Sequence, residues 1–179
     1  MAGLEDLKNE NKIAKKNKHL NSKFIFYNSG FNLRPTDVSA AIGLKQFKDL
    51  DYFIKLRTMN RNLIVNAMIK NNKINNNLKF IYSNKDIKPS WFGIPILIND
   101  KKKKNNFLIK LEKKGVESRP IISGNFLKQP SVRKYKLTSG VKLKNSDIIN
   151  DRGFFIGLPS KKVSKNYINK IVNIFEKSL

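Results

Sequence analysis

The chain has 179 residues, a formal net charge of +24, 40% hydrophobic residues and a mean hydropathy of -0.47. It contains no cysteine and one histidine, His19, which excludes disulfides and thiolate metal sites and leaves a zinc site without its usual ligands. No apolar run approaches the ~20 residues that span a bilayer. We therefore expect one soluble, cytoplasmic domain, with an extension at most.

The charge by itself suggests a nucleic-acid-binding protein. However, lysines are spread along the whole chain together with many Asn and Ile residues, a composition typical of an AT-rich coding sequence. No zinc-finger spacing, RNP-type motif or basic heptad is present, and the run Lys101–Lys104 is typical of a solvated surface. A basic nucleic-acid-binding protein is kept as an alternative.

The first predicted helix follows a turn. Residues 1–28 are expected to form a polar leader of poorly defined structure, in which the apolar run at residues 23–27 suits an extended segment. Gly30 and Pro35 favour a turn, and Thr36 is expected to cap a helix through its hydroxyl. This helix should run to about Lys48, with a second helix from about Leu50 to Asn71.

Two strands are predicted next, at residues 78–82 and 90–98, after a loop at residues 75–77. Pro95 has no backbone N–H, so we expect the second of these strands to lie at a sheet edge or to bulge there. Asn99 or Asp100 should cap a helix that ends at Gly115.

The remaining elements alternate. We predict a strand at 116–119, a loop at 121–129, helical turns at 130–135 and 145–150, a strand at 153–158 and a helix from Ser164 to Leu179. This order predicts an α/β (α+β layered) domain with a small mixed or antiparallel sheet and helices packed on one face.

Two sequence motifs resemble those of the DegT/StrS-type sugar aminotransferases. They are Gly-Phe-Asn-Leu-Arg-Pro-Thr-Asp at residues 30–37 and Ala-Ala-Ile-Gly-Leu-Lys-Gln-Phe at residues 40–47. Further matches fall in the same order at residues 89–95, 115–120, 124–130 and 151–159. Members of this family are enzymes of fold type I that use pyridoxal 5'-phosphate (PLP) and act on nucleotide-linked keto sugars. The sequence at residues 119–126 is most similar to that of the family's 4-keto-6-deoxysugar 3-dehydrase branch.

The resemblance implies that residues 29–179 are the C-terminal small domain of such a protein. Family members are roughly twice as long, and the large PLP-binding domain, with its Schiff-base lysine or catalytic histidine, has no counterpart here. We therefore expect a truncated or fragmentary enzyme that is inactive alone and does not bind PLP covalently. No catalytic residue and no metal ligand is assigned.

Five residues are candidates for binding. By resemblance, Asn32 reaches the PLP phosphate of the partner subunit, although it could simply stabilise its turn. Arg34 and Arg119 carry guanidinium groups suited to a diphosphate or carboxylate of the substrate, with an ion pair as the alternative for Arg34. Asn125 and Phe126 could frame the sugar or the base, or have a structural role in their loop.

The family also implies its partners, which are a nucleotide-sugar substrate, an amino donor and a second subunit. The chain could form a homodimer or a dimer with a full-length paralogue. In the second case it could be a non-catalytic partner subunit that donates Asn32. No membrane partner and no specific nucleic acid is expected.

Overall fold

A computed structural model describes residues 12–21, 25–26 and 36–179 of the chain. Its contacts divide the chain into two compact units. The first unit comprises Met1–Asn32 and Pro120–Asp151, and the second comprises Leu33–Arg119 and Arg152–Leu179. None of the described helices is long and apolar enough to cross a membrane.

Three helices open the second unit. They are α1 (Asp37–Phe47), α2 (Leu50–Ile69) and α3 (Asn72–Asn77). The first two confirm the sequence prediction within two residues at each end. The predicted cap is wrong in its chemistry, because the Thr36 hydroxyl makes no capping hydrogen bond and lies 3.4 Å from Ser39 Oγ.

Helix α3 lies where the sequence predicted a loop at residues 75–77. Asn71 ends the preceding helical segment and caps the new helix, since its side-chain oxygen accepts a hydrogen bond from Ile74 N at 3.1 Å. Ile74 is fully buried in the core. One cap and one apolar anchor therefore keep an asparagine-rich segment helical.

Four strands form one antiparallel sheet in the order β1-β2-β4-β3. Their bounds are β1 Leu78–Phe80, β2 Gly93–Ile98, β3 Ser118–Arg119 and β4 Gly153–Gly157. The predicted fold class is confirmed, although the sheet is purely antiparallel.

The prediction for Pro95 is wrong, because β2 lies between β1 and β4 and Pro95 pairs in register with Phe155. The carbonyl of Pro95 accepts from Ile81 N on the β1 side, and β1 ends at Phe80. In an antiparallel ladder the N and the O of one residue face the same neighbour. The missing N–H therefore faces the side where β1 has already ended, and no hydrogen bond to β4 is lost.

The last two helices of this unit pack on one face of the sheet. Asp100 caps a 3₁₀ turn (Lys101–Lys103) that leads into α4 (Lys104–Lys113), and Ser164 caps α7 (Lys165–Ser178), which confirms both predicted starts. Gly115 ends the first of them with φ of 78°. The core joins α2, α4 and α7 to alternating strand residues, and includes Ile64, Met68, Ile94, Ile96, Phe107, Leu111, Phe154, Ile156, Ile171 and Phe175.

The described part of the first unit is mostly helical and irregular. Residues 12–16 are helical, and Phe126–Lys128 forms a 3₁₀ turn before α5 (Pro130–Lys134) and α6 (Lys144–Arg152). The side chain of Arg133 donates to Asn17 Oδ1 at 2.7 Å, and the buried Gln129 accepts from Phe26 N at 3.0 Å. Polar contacts thus connect the start of the chain to residues 126–134.

Candidate functional site

Two of the five predicted binding residues, Asn32 and Arg34, lie outside the described residues. The other three belong to different units. Arg119 is in the second unit, and Asn125 and Phe126 are in the first. Each is therefore described within its own unit.

Arg119 lies on the edge strand β3 and is about half exposed. Its Nε and Nη2 both donate to Glu117 Oε1, at 2.9 and 2.8 Å. Glu117 lies directly before this strand, two residues from Arg119. The guanidinium is held in place by a neighbouring carboxylate, and both side chains line a cavity.

This cavity has a volume of about 610 Å³ and lies beside strands β3 and β4 and helix α7. Besides the Arg119–Glu117 pair, it contains three cationic side chains, Arg57, Lys114 and Lys170. Its apolar wall is formed by residues of both strands and the helix, including Val116, Phe155, Ile156, Leu158, Ile171 and Ile174. Such a mixture suits an anion that carries an apolar part.

Tyr167 is the titratable hydroxyl of this cavity. Burial raises the pKa of its phenol, so the group stays neutral and can donate a hydrogen bond at physiological pH. The cavity can therefore bind and orient an anion.

Sequence reasoning missed Arg57, Lys114 and Lys170 as members of this cavity. A signal existed for α7, where Tyr167, Lys170, Ile171 and Ile174 recur at i, i+3, i+4 and i+7 and so lie on one face. Arg57 carries no comparable local signal, because only the packing of α2 against α7 brings it there.

In the first unit, Asn125 is 5% exposed and uses both ends of its amide. Its Oδ1 accepts from Leu127 N at 3.0 Å, and its Nδ2 donates to Asp147 Oδ1 at 2.9 Å. This amide joins the 3₁₀ turn to helix α6. Phe126, by contrast, is 47% exposed, and its ring centre lies 5.9 Å from that of Phe26.

Charges reinforce this junction. Lys128 Nζ lies 3.0 Å from Asp147 Oδ1 and 3.2 Å from Asp151 Oδ1. Burial alone would lower the pKa of Lys128, but hydrogen bonds to the two carboxylates outweigh it and raise the pKa. The hydrogen bond from Asn125, and then that from Lys128, lower the pKa of Asp147. The loop is therefore held by an amide and an ion-pair network.

The 610 Å³ cavity does not fit PLP. The carboxylate of Glu117, the one acid of the 610 Å³ cavity within the described residues, is paired with Arg119 and so does not serve a pyridinium nitrogen. His19 lies exposed on the surface. Residues 12–21, 25–26 and 36–179 also contain no group of three or more His, Asp or Glu side chains that could hold a metal. No chemical step through the cofactor is derived from this chain.

Several known proteins are similar to this chain in sequence and in fold. A GDP-4-keto-6-deoxy-D-mannose 3-dehydratase of Yersinia pseudotuberculosis is 29% identical over 157 residues, which are 86% of this chain and 38% of that protein. The enzyme of the same name from Escherichia coli O55:H7 is 30% identical over 161 residues, with 85% and 39% covered. The chain thus spans about two fifths of the length of the curated relatives it matches.

A solved structure of the E. coli 3-dehydratase with bound hydrated PLP matches with a TM-score of 0.67, 28% identity, and coverage of 86% of this chain and 39% of that one. The fold is that of the C-terminal part of a fold type I PLP-dependent enzyme. A family model described as the DegT/DnrJ/EryC1/StrS aminotransferase family matches residues 3–176. The chain belongs to the DegT/DnrJ/EryC1/StrS aminotransferase family.

Proposed function

We propose that this chain is the C-terminal portion of a PLP-dependent enzyme of the 3-dehydrase branch, acting on a nucleotide-linked 4-keto-6-deoxysugar in surface polysaccharide or deoxysugar biosynthesis. The observation that carries the proposal is the match to two GDP-4-keto-6-deoxy-D-mannose 3-dehydratases over more than four fifths of this chain. PLP and its catalytic base would come from the large domain, which corresponds to the part of the relatives that this chain does not match. The proposed location is the cytoplasm.

Within such an assembly, Asn32 would contact the PLP phosphate of the partner subunit, because an amide donor beside a helix start suits a phosphate. Arg34 and Arg119 would bind the diphosphate or a carboxylate of the reactants. The cationic cavity beside Arg119 supports a role in anion binding. Phe126 offers an exposed ring for the sugar or base, and Asn125 holds the loop that carries this ring.

We further propose that the chain acts as a dimer, either with its own copy or with a full-length paralogue. In the second arrangement the paralogue would supply the cofactor domain, and this chain would be a non-catalytic subunit that donates Asn32.

The first test mixes the purified chain with PLP and records its absorbance spectrum. We expect no band of an internal aldimine. A band that borohydride reduces, and that a single Lys→Ala change abolishes, would show that the chain forms its own Schiff base and would contradict the proposal.

The second test mixes the chain with a full-length family member and PLP, and follows co-elution and cofactor retention. We expect a mixed dimer in which Asn32→Ala lowers PLP retention, whereas the control Asn66→Ala, an exposed position on α2, has no effect. Equal retention with both variants would remove Asn32 from the cofactor site.

A further inference from the structure

Arg61, on helix α2, is a buried cation surrounded by aromatic rings. The residue is 4% exposed. The central carbon of its guanidinium lies 4.2 Å from the ring centre of Trp91 and 4.8 Å from that of Tyr82. Both distances are within the range of cation–π attraction, so the rings stabilise the charge and hold its plane in place.

The guanidinium has no anionic partner among the described residues. Its Nη1 donates to Asn62 Oδ1 at 3.1 Å and its Nη2 donates to the carbonyl of Ile81, and both acceptors are neutral. Its Nε is buried and has no hydrogen-bond partner in the part of the chain that the structure describes. Burial lowers the pKa of this guanidinium, and the electrostatic interaction with Tyr82 opposes the effect. Buried charges in proteins are normally paired, so a buried arginine that meets only neutral acceptors and aromatic rings is a candidate anion-binding group.

Arg61 is one of the residues that line a cavity of about 660 Å³, whose lining suits an anion. Lys55 and Lys88 add two cations, neither paired with a carboxylate of the described residues. Thr58 and Ser83 add hydroxyl donors. The remaining wall is largely apolar and is formed by Ile54, Met59, Ile87 and Pro89 together with the two aromatic rings. The volume is that of an ordinary small-molecule site.

We propose that this cavity binds the phosphate group of a phosphorylated small molecule, with the Arg61 guanidinium as its buried positive centre and Lys55 and Lys88 as its exposed cations. A phosphate or diphosphate carries more charge and more acceptor oxygens than a single carboxylate, and three cations with two hydroxyls match that demand. The concave shape and the largely apolar wall favour a small ligand over a polymer. This inference needs neither the cofactor nor the sugar of the proposed function, so the two can fail independently.

Trp91 is the single tryptophan of the chain, and it therefore reports directly on Arg61. We would titrate the 179-residue chain with inorganic pyrophosphate at constant ionic strength and follow the tryptophan fluorescence. A saturable change is expected. Glutamate over the same concentrations should leave the signal unchanged, because it offers only carboxylates.

Replacing Arg61 could unfold the segment that its side chain holds, so the decisive variant changes the exposed cations. Lys55→Gln with Lys88→Gln should weaken pyrophosphate binding by at least about fivefold, as expected for the loss of two charge-assisted contacts. The control Lys101→Gln with Lys102→Gln removes the same charge at an exposed position outside the cavity and should stay within about twofold.

Three results would overturn the proposal. They are the absence of a saturable fluorescence change, an equal loss of affinity in the two double variants, and glutamate binding as tight as that of pyrophosphate. The second result would show that only the net charge attracts the anion, and the third would show that the cavity does not select phosphate.

Discussion

The side-chain oxygen of Asn60 accepts a hydrogen bond from the backbone N–H of Val163 at 3.1 Å, across 103 positions of sequence. The same amide donates through its Nδ2 to the carbonyls of Pro159 and Lys161, at 3.1 and 2.8 Å. Asn60 is fully buried in the middle of helix α2. One side chain therefore satisfies three backbone groups of the segment that leads into α7.

We predict that Asn60→Ala lowers the free energy of unfolding by roughly 2–4 kcal/mol, because buried backbone groups lose their partners. Urea denaturation followed by circular dichroism measures this difference. Asn66→Ala, at an exposed position of the same helix, is the control and should change stability by less than about 0.5 kcal/mol. Similar losses in both variants would mean that helix propensity, and not the amide network, explains the effect.

A second prediction concerns Gly124, whose φ is 59°. A Cβ placed there would lie 2.6 Å from the Cα of Asn150, which is backbone and cannot rotate away. Gly124→Ala should therefore destabilise the first unit by more than the roughly 1–2 kcal/mol that the left-handed backbone alone costs a side chain.

The matched control is Gly140→Ala, since a Cβ at Gly140 meets nothing within 4 Å. Limited proteolysis of residues 120–151 provides the measurement. We expect Gly124→Ala to be cleaved faster than the parent chain and Gly140→Ala to be cleaved at the parent rate. Unchanged cleavage of Gly124→Ala would contradict the close approach to Asn150.

The third prediction is a pH dependence around Asp147. Hydrogen bonds from Asn125 and Lys128 lower the pKa of this carboxyl in the folded chain. The ionised group therefore stabilises the fold fully above its unfolded pKa of about 3.9, and this contribution is lost as the pH falls through the lower folded value. Asp147→Asn should accordingly lower the melting temperature at pH 6.

Below about pH 3.9 the gap between Asp147→Asn and the parent chain should shrink, since the stabilisation by the ionised carboxyl is lost as the pH falls from the unfolded pKa through the lower folded pKa. Asp86→Asn, which changes an exposed aspartate of the second unit, is the control for net charge. A gap that is as large in acid as at pH 6 would show that the ionised form of Asp147 is not what stabilises the loop.

The fourth prediction concerns helix α1, none of whose residues is buried. Val38, Ile42, Leu44 and Phe47 are 55% to 72% exposed. By helical spacing Val38 and Ile42 lie on one side of α1 and Leu44 and Phe47 on another, and exposed apolar residues of this kind typically mark a contact surface. We predict that the chain binds a hydrophobic dye and that Leu44→Glu with Phe47→Glu reduces this binding without lowering stability.

The measurement is dye fluorescence at a fixed protein concentration, with Lys45→Glu as the control for an added acidic residue on the same helix. Strong dye binding by the double variant would place the apolar surface elsewhere. No dye binding by the parent chain would show that the helix is covered in solution.

Local chemistry predicted much of the fold. The caps at Asp100 and Ser164, the stop at Gly115 and the apolar spacing of α2 and α7 each act within about four residues, so they can be found in the sequence itself. The loop prediction at residues 75–77 was wrong because it rested on the local asparagines alone. The segment is helical because Ile74 is buried in the core. For the candidate sites, the sequence identified Arg119, Asn125 and Phe126 as residues of interest and missed the cavity cations and Arg61.

The family of the chain, the order of its elements and most of their boundaries follow from the sequence, because they depend on short motifs and nearest turns. Three other features depend on tertiary packing: Pro95 is tolerated in a central strand, Asn60 supports a segment about 100 residues away, and Arg61 lies against two rings with no carboxylate partner among the described residues. Those outcomes depend on which distant backbone groups and side chains meet when the sheet and helices pack, and no local pattern carries that information.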